Sequence, residues 1–386
     1  MTHLISEARE SSYLLYHPSA ASFTATKGTG DALAFHRKLP GYAPTPLAAA
    51  PHAAEALGVM QVWVKDESSR LGLPAYKILG ASWATYRALE ERFRPFMPWE
   101  TLTDLAVQLR PHAPLTLVAA TDGNHGRAVA RMAKWLALGA HVIVPRDMVP
   151  ARIRAIESEG AQVTVVDGTY DDAVEASARL ADDAHLVISD TAWEGYERIP
   201  QWVIDGYATI FQEIDTQLAA LGARQPDVVA AQIGVGALAA SVVRHYRAPD
   251  RATHIVGVEP MRAACVLRSV EAGQLVDLPG PHDSIMAGLN CGRPSPVAWP
   301  LVSGGISLFV AIPDCRAEEA MRLLAQDGVV SGESGAAGLA GCLEALDTID
   351  VQDFRRLLGV NEASSLLVIS TEGATDPVAY ARIVGP

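Results

Sequence analysis

Short apolar runs alternate with segments of helical hydrophobic pattern along most of the chain. The runs hold four to seven residues and the helical segments about ten, which is typical of parallel βαβ units. Residues 1–59 lack this rhythm until a helical pattern at 48–57, so we expect the opening segment to be an extended arm or a partner contact. One long helix is predicted over 201–221. The predicted strands are 60–64, 115–120, 140–144, 161–166, 185–188, 227–233, 254–259, 307–312 and 364–369.

Polar loops that contain glycine follow the predicted strands directly after residues 120, 188, 233 and 369. Ligands of open parallel sheets bind beyond the carboxyl ends of the strands. We therefore expect these four loops to converge on one cleft between two α/β lobes, since 386 residues exceed one ordinary core.

Lys77 follows a charged loop and lies where a helical pattern begins, with Tyr76 and Ile78 beside it. The positive end of the helix dipole and the apolar neighbours both disfavour an ammonium, so the pKa of Lys77 is expected to be lowered. A lysine of this kind suits Schiff-base chemistry. The alternative is an ordinary solvated lysine at a helix start.

Two further loops carry acids. Asp122 precedes Gly123, and Asn124 and His125 lie between Gly123 and Gly126; Asp122 can act as a base or an ammonium partner and Asn124 can bind a ligand oxygen. Helix capping is the alternative, although it needs only one of these residues. Asp190 stands close to Glu194 and two aromatic residues, a second acidic group whose alternative is a solvated turn.

The turn at residues 234–237 (Gly-Val-Gly-Ala) opens a helix and can bind a phosphate through its backbone N–H groups, or it is a helix-opening turn without a ligand. A dinucleotide is disfavoured because Ala239 replaces the third glycine of the fingerprint. Ser370 and Thr371 place hydroxyls at the end of the last strand, and Glu333 lies at a helix start.

Composition narrows the function classes. A net charge of −13 and a pI near 5.3 argue against nucleic-acid and anionic-membrane partners. No uncharged apolar run reaches about 18 residues, and the N-terminus lacks a leader pattern, so the cytoplasm is expected. The four cysteines show no zinc spacing, so no metal site is predicted and buried thiols in a reducing compartment are expected.

Lys77, the TDGNHG turn, GVGAL, SGESG and STEG occur in one order that resembles the fold-type II pyridoxal-phosphate (PLP) enzymes, over roughly residues 40–380. The resemblance implies a tryptophan synthase beta-like α/β fold, with two three-layer lobes and mostly parallel sheets. The large PLP-binding lobe would hold 1–83 plus 191–386, and the small mobile lobe 84–190. Longer stretches resemble the diaminopropionate ammonia-lyase family: KDESSRLGLPAYKILGAS, ATDGNHGRAVA, DTAWEGYERIP, IMAGLNCG, SGESGA and STEGATDP.

This resemblance implies a homodimer that uses PLP to convert a small amino acid, 2,3-diaminopropionate, to pyruvate and two ammonia. Lys77 would bind PLP as a Schiff base and be the base for one α-epimer, Asp122 the base for the other, and Asp190 would bind the β-ammonium. Asn124 would bind the pyridine 3′-oxygen. For the pyridine nitrogen, Ser370 is preferred to Thr371 as the partner. The phosphate would be bound by the backbone of Gly234, Val235, Gly236 and Ala237.

The sequence departs from the usual family pattern at Pro74, Tyr76 and Ala374. A PLP-dependent lyase for another β-substituted amino acid, such as serine or threonine, is therefore the alternative function. A cofactor-binding regulator without chemistry is disfavoured because Lys77, Asp122 and Asn124 are all present.

Overall fold

The computed structural model describes residues 3–4, 13–26, 28, 30–94, 96–349 and 351–385. The N-terminal segment, in which the sequence shows no leader pattern, lies outside the described residues apart from His3 and Leu4. The chain divides into two compact units. The first unit comprises Met1–Gly28, Pro44–Ser69 and Ile210–Pro386, and the second unit comprises Thr29–Ala43 and Arg70–Thr209.

The strands of the described residues agree with the predicted runs to within one or two residues from residue 60 onward. They are β1 (His3–Leu4), β2 (Tyr13–Tyr16), β3 (Leu47–Ala49), β4 (Gln61–Asp66), β5 (Thr116–Ala120), β6 (Gly139–Pro145), β7 (Gln162–Val166), β8 (His185–Val187), β9 (Val228–Gln232), β10 (His254–Pro260), β11 (Leu308–Ile312) and β12 (Ser365–Ser370).

The helices fill the intervals between the strands. They are α1 (Ala32–His36), α2 (Pro51–Leu57), α3 (Lys77–Phe93), α4 (Leu102–Leu109), α5 (Asn124–Leu136), α6 (Pro150–Glu157), α7 (Tyr170–Ala178), α8 (Arg198–Gly206), α9 (Ala208–Ala220), α10 (Ala237–Tyr246), α11 (Cys265–Ala272), α12 (Trp299–Gly305), α13 (Asp314–Gln326), α14 (Glu333–Thr348), α15 (Val351–Leu358) and α16 (Pro377–Val384). Within the described residues, none of the helices has the length and apolar character needed to cross a membrane.

The first unit is built on an eight-stranded sheet with the order β1-β2-β11-β10-β9-β12-β4-β3. Its inner strands β11, β10, β9, β12 and β4 are parallel, whereas β2 and β3 pair antiparallel at the two sides. Every residue of β9, β11 and β12 is buried. Burial on both faces explains why these strands are continuous apolar runs in the sequence.

The second unit is built on a four-stranded, wholly parallel sheet with the order β7-β6-β5-β8. Helix α3 packs along α5 and α8 in this unit. One mostly parallel sheet and one wholly parallel sheet, both with helical crossovers, confirm the predicted α/β class.

The structure corrects two expectations. The opening arm contains β2, which pairs with β11, and the predicted helix at 48–57 is preceded by β3. The predicted helix at 201–221 is two helices, with Gly206 where the first ends; a Cβ atom there would come 2.6 Å from the carbonyl oxygen of Leu79. The bounds of the two compact units are not those of the predicted lobes, and the division into a large and a small mobile lobe stays a prediction.

Candidate active site

Lys77 is the first residue of α3, and its side chain forms an ion pair with Asp190 within the second unit. The Lys77 Nζ atom donates a hydrogen bond of 2.7 Å to Asp190 Oδ2. The two side chains are only 15% and 5% exposed. Asp190 lies in the loop that follows β8, and this loop places its carboxylate beside the first residue of α3. The pair is therefore a nearly dry site that binds an ammonium.

The electrostatics of this pair correct the expected lysine pKa. Burial by itself would lower the pKa of Lys77, but the charge of Asp190, with smaller effects from Tyr76, Tyr207 and Asp122, raises it well above the usual lysine value. Burial likewise opposes ionisation of Asp190, but the Lys77 ammonium holds the pKa of that carboxyl well below its usual range. The prediction of a lowered Lys77 pKa is thus wrong, because it did not include the carboxylate partner.

Helix α5, which follows the turn after β5, is not capped by the side chain of Asp122 or Asn124. Gly123, with φ 147° and ψ −76°, is the N-cap of α5 and no side chain caps this helix. The Gly123 N–H instead donates to Thr121 Oγ1 at 2.8 Å. Side-chain capping of α5 therefore does not account for Asp122 and Asn124. The charge of Asp122 acts on the pKa of Lys77.

His125, the second residue of α5, is buried beside the ion pair. Its Nε2 atom lies 2.8 Å from the carbonyl oxygen of Ile188, which requires a proton on Nε2. Its Nδ1 atom lies 3.9 Å from Asp190 Oδ2 and has no hydrogen-bond partner among the described residues. Burial lowers the pKa of His125, so the ring is neutral and Asp190 depends on Lys77 for its counter-charge.

Tyrosines complete the surroundings of the pair. The Tyr170 hydroxyl, at the start of α7, donates to Asp190 Oδ1 at 3.1 Å, so each oxygen of the carboxylate has a different partner. The rings of Tyr76 and Tyr207 lie 4.7 Å apart, and the Lys77 Nζ atom is 5.6 Å from the centre of the Tyr76 ring. In contrast, Glu194 is exposed and does not join this cluster.

In the first unit, the glycine turn between β9 and α10 fits a phosphate. Gly236 is the N-cap of α10 with φ +100°, and no side chain caps the helix. A Cβ atom on Gly234 would come 3.1 Å from the carbonyl oxygen of Gly288 and 3.3 Å from Cys291 Sγ. The backbone is therefore closely packed on one side, while the first N–H groups of the helix lack a side-chain acceptor, as an anion site requires.

Ser370 and Thr371 lie at the same edge of the sheet as this turn, since β12 and β9 are parallel neighbours. The Ser370 Oγ atom is 2.8 Å from Ser331 Oγ. The Thr371 Oγ1 atom accepts a hydrogen bond of 2.8 Å from Gln232 Nε2. Both hydroxyl groups are buried. Each is a neutral group that can donate one hydrogen bond to a ligand atom.

Within each unit, two of the four loops follow adjacent parallel strands, whereas the convergence of all four on one cleft stays a prediction. The loops after β5 and β8, which carry Asp122 and Asp190, follow adjacent parallel strands. The loops after β9 and β12 do the same in the first unit. No group of three or more His, Cys, Asp or Glu side chains in the described part of the chain could hold a metal ion.

Three residues that contact the candidate site residues could not be identified from the sequence. Tyr170 opens a helix twenty residues before Asp190, and no local pattern marks it. Ser331 lies in the glycine-rich turn SGESG, whose sequence does not single it out. Gln232 does carry a signal, because it is a polar residue at the end of an otherwise apolar strand.

Comparisons with known proteins show the family of this chain. Residues 38–353 match the model of the family described as pyridoxal-phosphate dependent enzyme. The chain is 38% identical over 359 residues to the diaminopropionate ammonia-lyase of Escherichia coli (strain K12), which covers 91% of this chain and 89% of that protein. The Salmonella typhimurium (strain LT2) diaminopropionate ammonia-lyase is 37% identical over 368 residues, 92% of this chain and 91% of that one.

A crystal structure of the Escherichia coli diaminopropionate ammonia lyase in complex with D-serine superposes with a TM-score of 0.87 and 35% identity, over 98% of both chains. This chain therefore belongs to the family of pyridoxal-phosphate dependent enzymes, with the fold-type II architecture. Within that family it is a homologue of diaminopropionate ammonia-lyase. The fold class, the cofactor and the family resemblance expected from the sequence are confirmed.

Proposed function

We propose that this protein converts 2,3-diaminopropionate to pyruvate and two ammonium ions by PLP-dependent α,β-elimination, with one water consumed. The observation that carries the substrate is the Lys77–Asp190 pair. The lysine ammonium lies 2.7 Å from a buried carboxylate, which shows that the surroundings of Asp190 accommodate an ammonium group. When Lys77 is engaged with the cofactor, Asp190 is left to bind the β-ammonium of the substrate.

The residues present fit PLP, which withdraws electrons from the bonds of the substrate α-carbon when bound. Lys77 is the covalent attachment point. The uncapped N–H groups that follow Gly236 bind the phosphate, and Asn124 binds the pyridine 3′-oxygen. Ser370, or Thr371 beside it, donates its hydroxyl proton to the pyridine nitrogen. Support comes from the backbone packing of the glycine turn and from the burial of both hydroxyls.

Two residues are the proposed bases. Lys77 would accept the α-proton of one stereoisomer through its Nζ atom. Asp122 accepts the α-proton of the other, which would allow both D and L substrates. The effect of the Asp122 charge on the pKa of Lys77 supports this assignment, because it places both groups in one electrostatic environment. The neutral His125 ring holds the loop after β8 through Ile188 and orients Asp190.

The test is a product count with purified protein. Diaminopropionate yields two ammonia per pyruvate, whereas serine or threonine yields one ammonia per 2-oxo acid. We expect a ratio of two with diaminopropionate as the preferred substrate, and loss of both the visible cofactor band and turnover in Lys77→Ala. A higher kcat/KM for serine or threonine than for either isomer of diaminopropionate would favour the alternative lyase, for which Pro74, Tyr76 and Ala374 are the residues to examine.

We also propose that the enzyme is a homodimer, as its resemblance to the ammonia-lyase family implies. We propose further that it acts in the cytoplasm, a reducing compartment that suits its free cysteines. Light scattering coupled to size-exclusion chromatography would measure a mass near twice that of the 41.0 kDa chain. A mass of a single chain at micromolar concentration would contradict the dimer.

A further inference from the structure

Gln232 is a buried amide in the first unit that none of the roles above uses. It is the last residue of β9, only 3% exposed, and stands two positions before the glycine turn. The other four residues of this strand are apolar. A buried primary amide is costly unless its polar atoms have partners, so its contacts indicate what it does.

The Gln232 amide nitrogen connects β9 to two other elements. It lies 2.8 Å from Thr371 Oγ1 and 2.9 Å from the carbonyl oxygen of Ile369, at the end of β12. It also lies 3.0 Å from the carbonyl oxygen of Ser334 and 3.2 Å from that of Gly335, in the first turn of α14. One NH2 group is therefore shared by four oxygen atoms of two elements.

These acceptors fix the orientation of the amide. Three of them are carbonyl oxygens, which cannot donate, so the nitrogen and not the oxygen must face them. The Gln232 Oε1 atom has no hydrogen-bond partner among the described residues, and a Cβ atom on Gly338 would come 3.3 Å from it. The missing side chain at Gly338 thus lets α14 lie close enough for the contacts at its first turn.

The two contacts on β12 lie on either side of Ser370. Ile369 contributes its carbonyl oxygen and Thr371 its hydroxyl oxygen. Gln232 is thus hydrogen-bonded to the residue before Ser370 and to the residue after it. Because Thr371 Oγ1 accepts from Gln232, its own O–H proton remains free to point elsewhere. Gln232 is also joined through Ile233 to Gly234, where the proposed phosphate site begins.

We infer that Gln232 is a positioning residue that sets the placement of the Ser370–Thr371 hydroxyls relative to the glycine turn. This inference rests on the proposed function, in which those hydroxyls serve the pyridine nitrogen and that turn binds the phosphate. PLP is a rigid ring, so the two ends of its site must be held at a fixed separation. A single amide that spans the ends of β9 and β12 supplies that constraint.

The first experiment compares Gln232→Met with wild type for PLP affinity and for the wavelength of the bound cofactor band. Methionine keeps the length of the side chain and removes the N–H groups. We expect the dissociation constant for PLP to rise about tenfold, together with a shifted band, because a misplaced hydroxyl changes the pyridine nitrogen environment. The melting temperature is measured with and without PLP, and the gain on binding PLP should shrink.

Gln225→Met is the matched control. Gln225 precedes the same strand in the first unit, is exposed, and bonds to Asp215 and Arg251 through its own amide. The same chemical change there should leave PLP affinity and the band unaltered. If Gln232→Met melts at a lower temperature but retains the wild-type PLP affinity and band, its role is only structural and the inference is overturned.

Gln232→Glu keeps the test decisive if the methionine variant does not fold. A buried carboxyl that faces four oxygens has a raised pKa, and its protonated form restores one of the two hydrogen-bond donors of the amide. The PLP affinity of this variant relative to wild type should therefore recover at pH 6 and fall at pH 9. A ratio that does not change with pH would overturn the inference, whereas a wild-type protein that forms no visible PLP band would overturn the proposed function itself.

Discussion

Asp190→Asn tests the proposed ammonium site, because it removes the charge and keeps the size of the side chain. In wild type the carboxylate is 5% exposed and is bonded to the Lys77 ammonium at 2.7 Å and the Tyr170 hydroxyl at 3.1 Å. A substrate β-ammonium in place of the lysine would make a comparably dry contact. Removing one partner of a buried, hydrogen-bonded charge pair costs roughly 2–4 kcal/mol, which corresponds to about 30- to 1,000-fold in kcat/KM.

Serine provides the internal comparison, because it has a neutral hydroxyl group in place of the β-ammonium. A neutral hydrogen bond contributes only about 0.5–1.5 kcal/mol, or roughly two- to tenfold. Asp190→Asn should therefore lower the ratio of kcat/KM for diaminopropionate to kcat/KM for serine by roughly three- to 500-fold. If serine is not turned over, its inhibition constant replaces its kcat/KM.

The assay follows pyruvate release from both isomers of each substrate, with rates divided by the bound PLP measured from the visible band. This division is needed because Asp190 also acts on the pKa of Lys77 and hence on cofactor attachment. Asp172→Asn is the matched control, since Asp172 is an exposed carboxylate that caps α7. Equal losses for diaminopropionate and serine in Asp190→Asn would refute an ammonium-binding role for this residue.

Three further predictions concern the base, the lysine and the phosphate turn. Asp122→Asn should lower turnover of the D isomer at least tenfold more than that of the L isomer, and equal losses on the two would contradict a stereospecific base. Because the pKa of Lys77 is raised, its neutral, reactive form is scarce at neutral pH; attachment of PLP to the apoprotein should accelerate with rising pH, about tenfold per pH unit from 7 to 9. Asp190→Asn should make attachment faster at each pH, and a rate independent of pH in wild type would contradict the raised pKa. Gly236→Ala forces a side chain into φ +100° and brings its Cβ atom to 3.2 Å from Ala298 Cβ, so PLP affinity measured by titration should fall about tenfold or more.

The regular parts of the fold and the positions of the site loops follow closely from the sequence. Buried parallel strands are continuous apolar runs, so β9 and β12 could be placed to within two residues. A parallel sheet aligns its strand ends, which is why the loops that carry Asp122 and Asp190 could be expected side by side. These are consequences of local periodicity and of one geometric rule.

Elements held by distant partners could not be predicted in the same way. Strand β2 is four residues long and exists because it pairs with β11, nearly three hundred residues later in the chain. The break between α8 and α9 depends on the backbone at Leu79, which lies against Gly206. Neither feature leaves a periodic trace in its own segment, since the stabilising contacts come from elsewhere.

The sequence by itself determined the fold class, the family, the cofactor and the lysine that we propose to bind it. The tertiary structure decided the charge state of that lysine, because Asp190 stands 113 residues away along the chain and 2.7 Å away in space. It likewise decided the partners of Asp190 and the place of Gln232. Local pattern reports which backbone a segment adopts, whereas a pKa or a shared amide depends on charges and acceptors that only folding brings together.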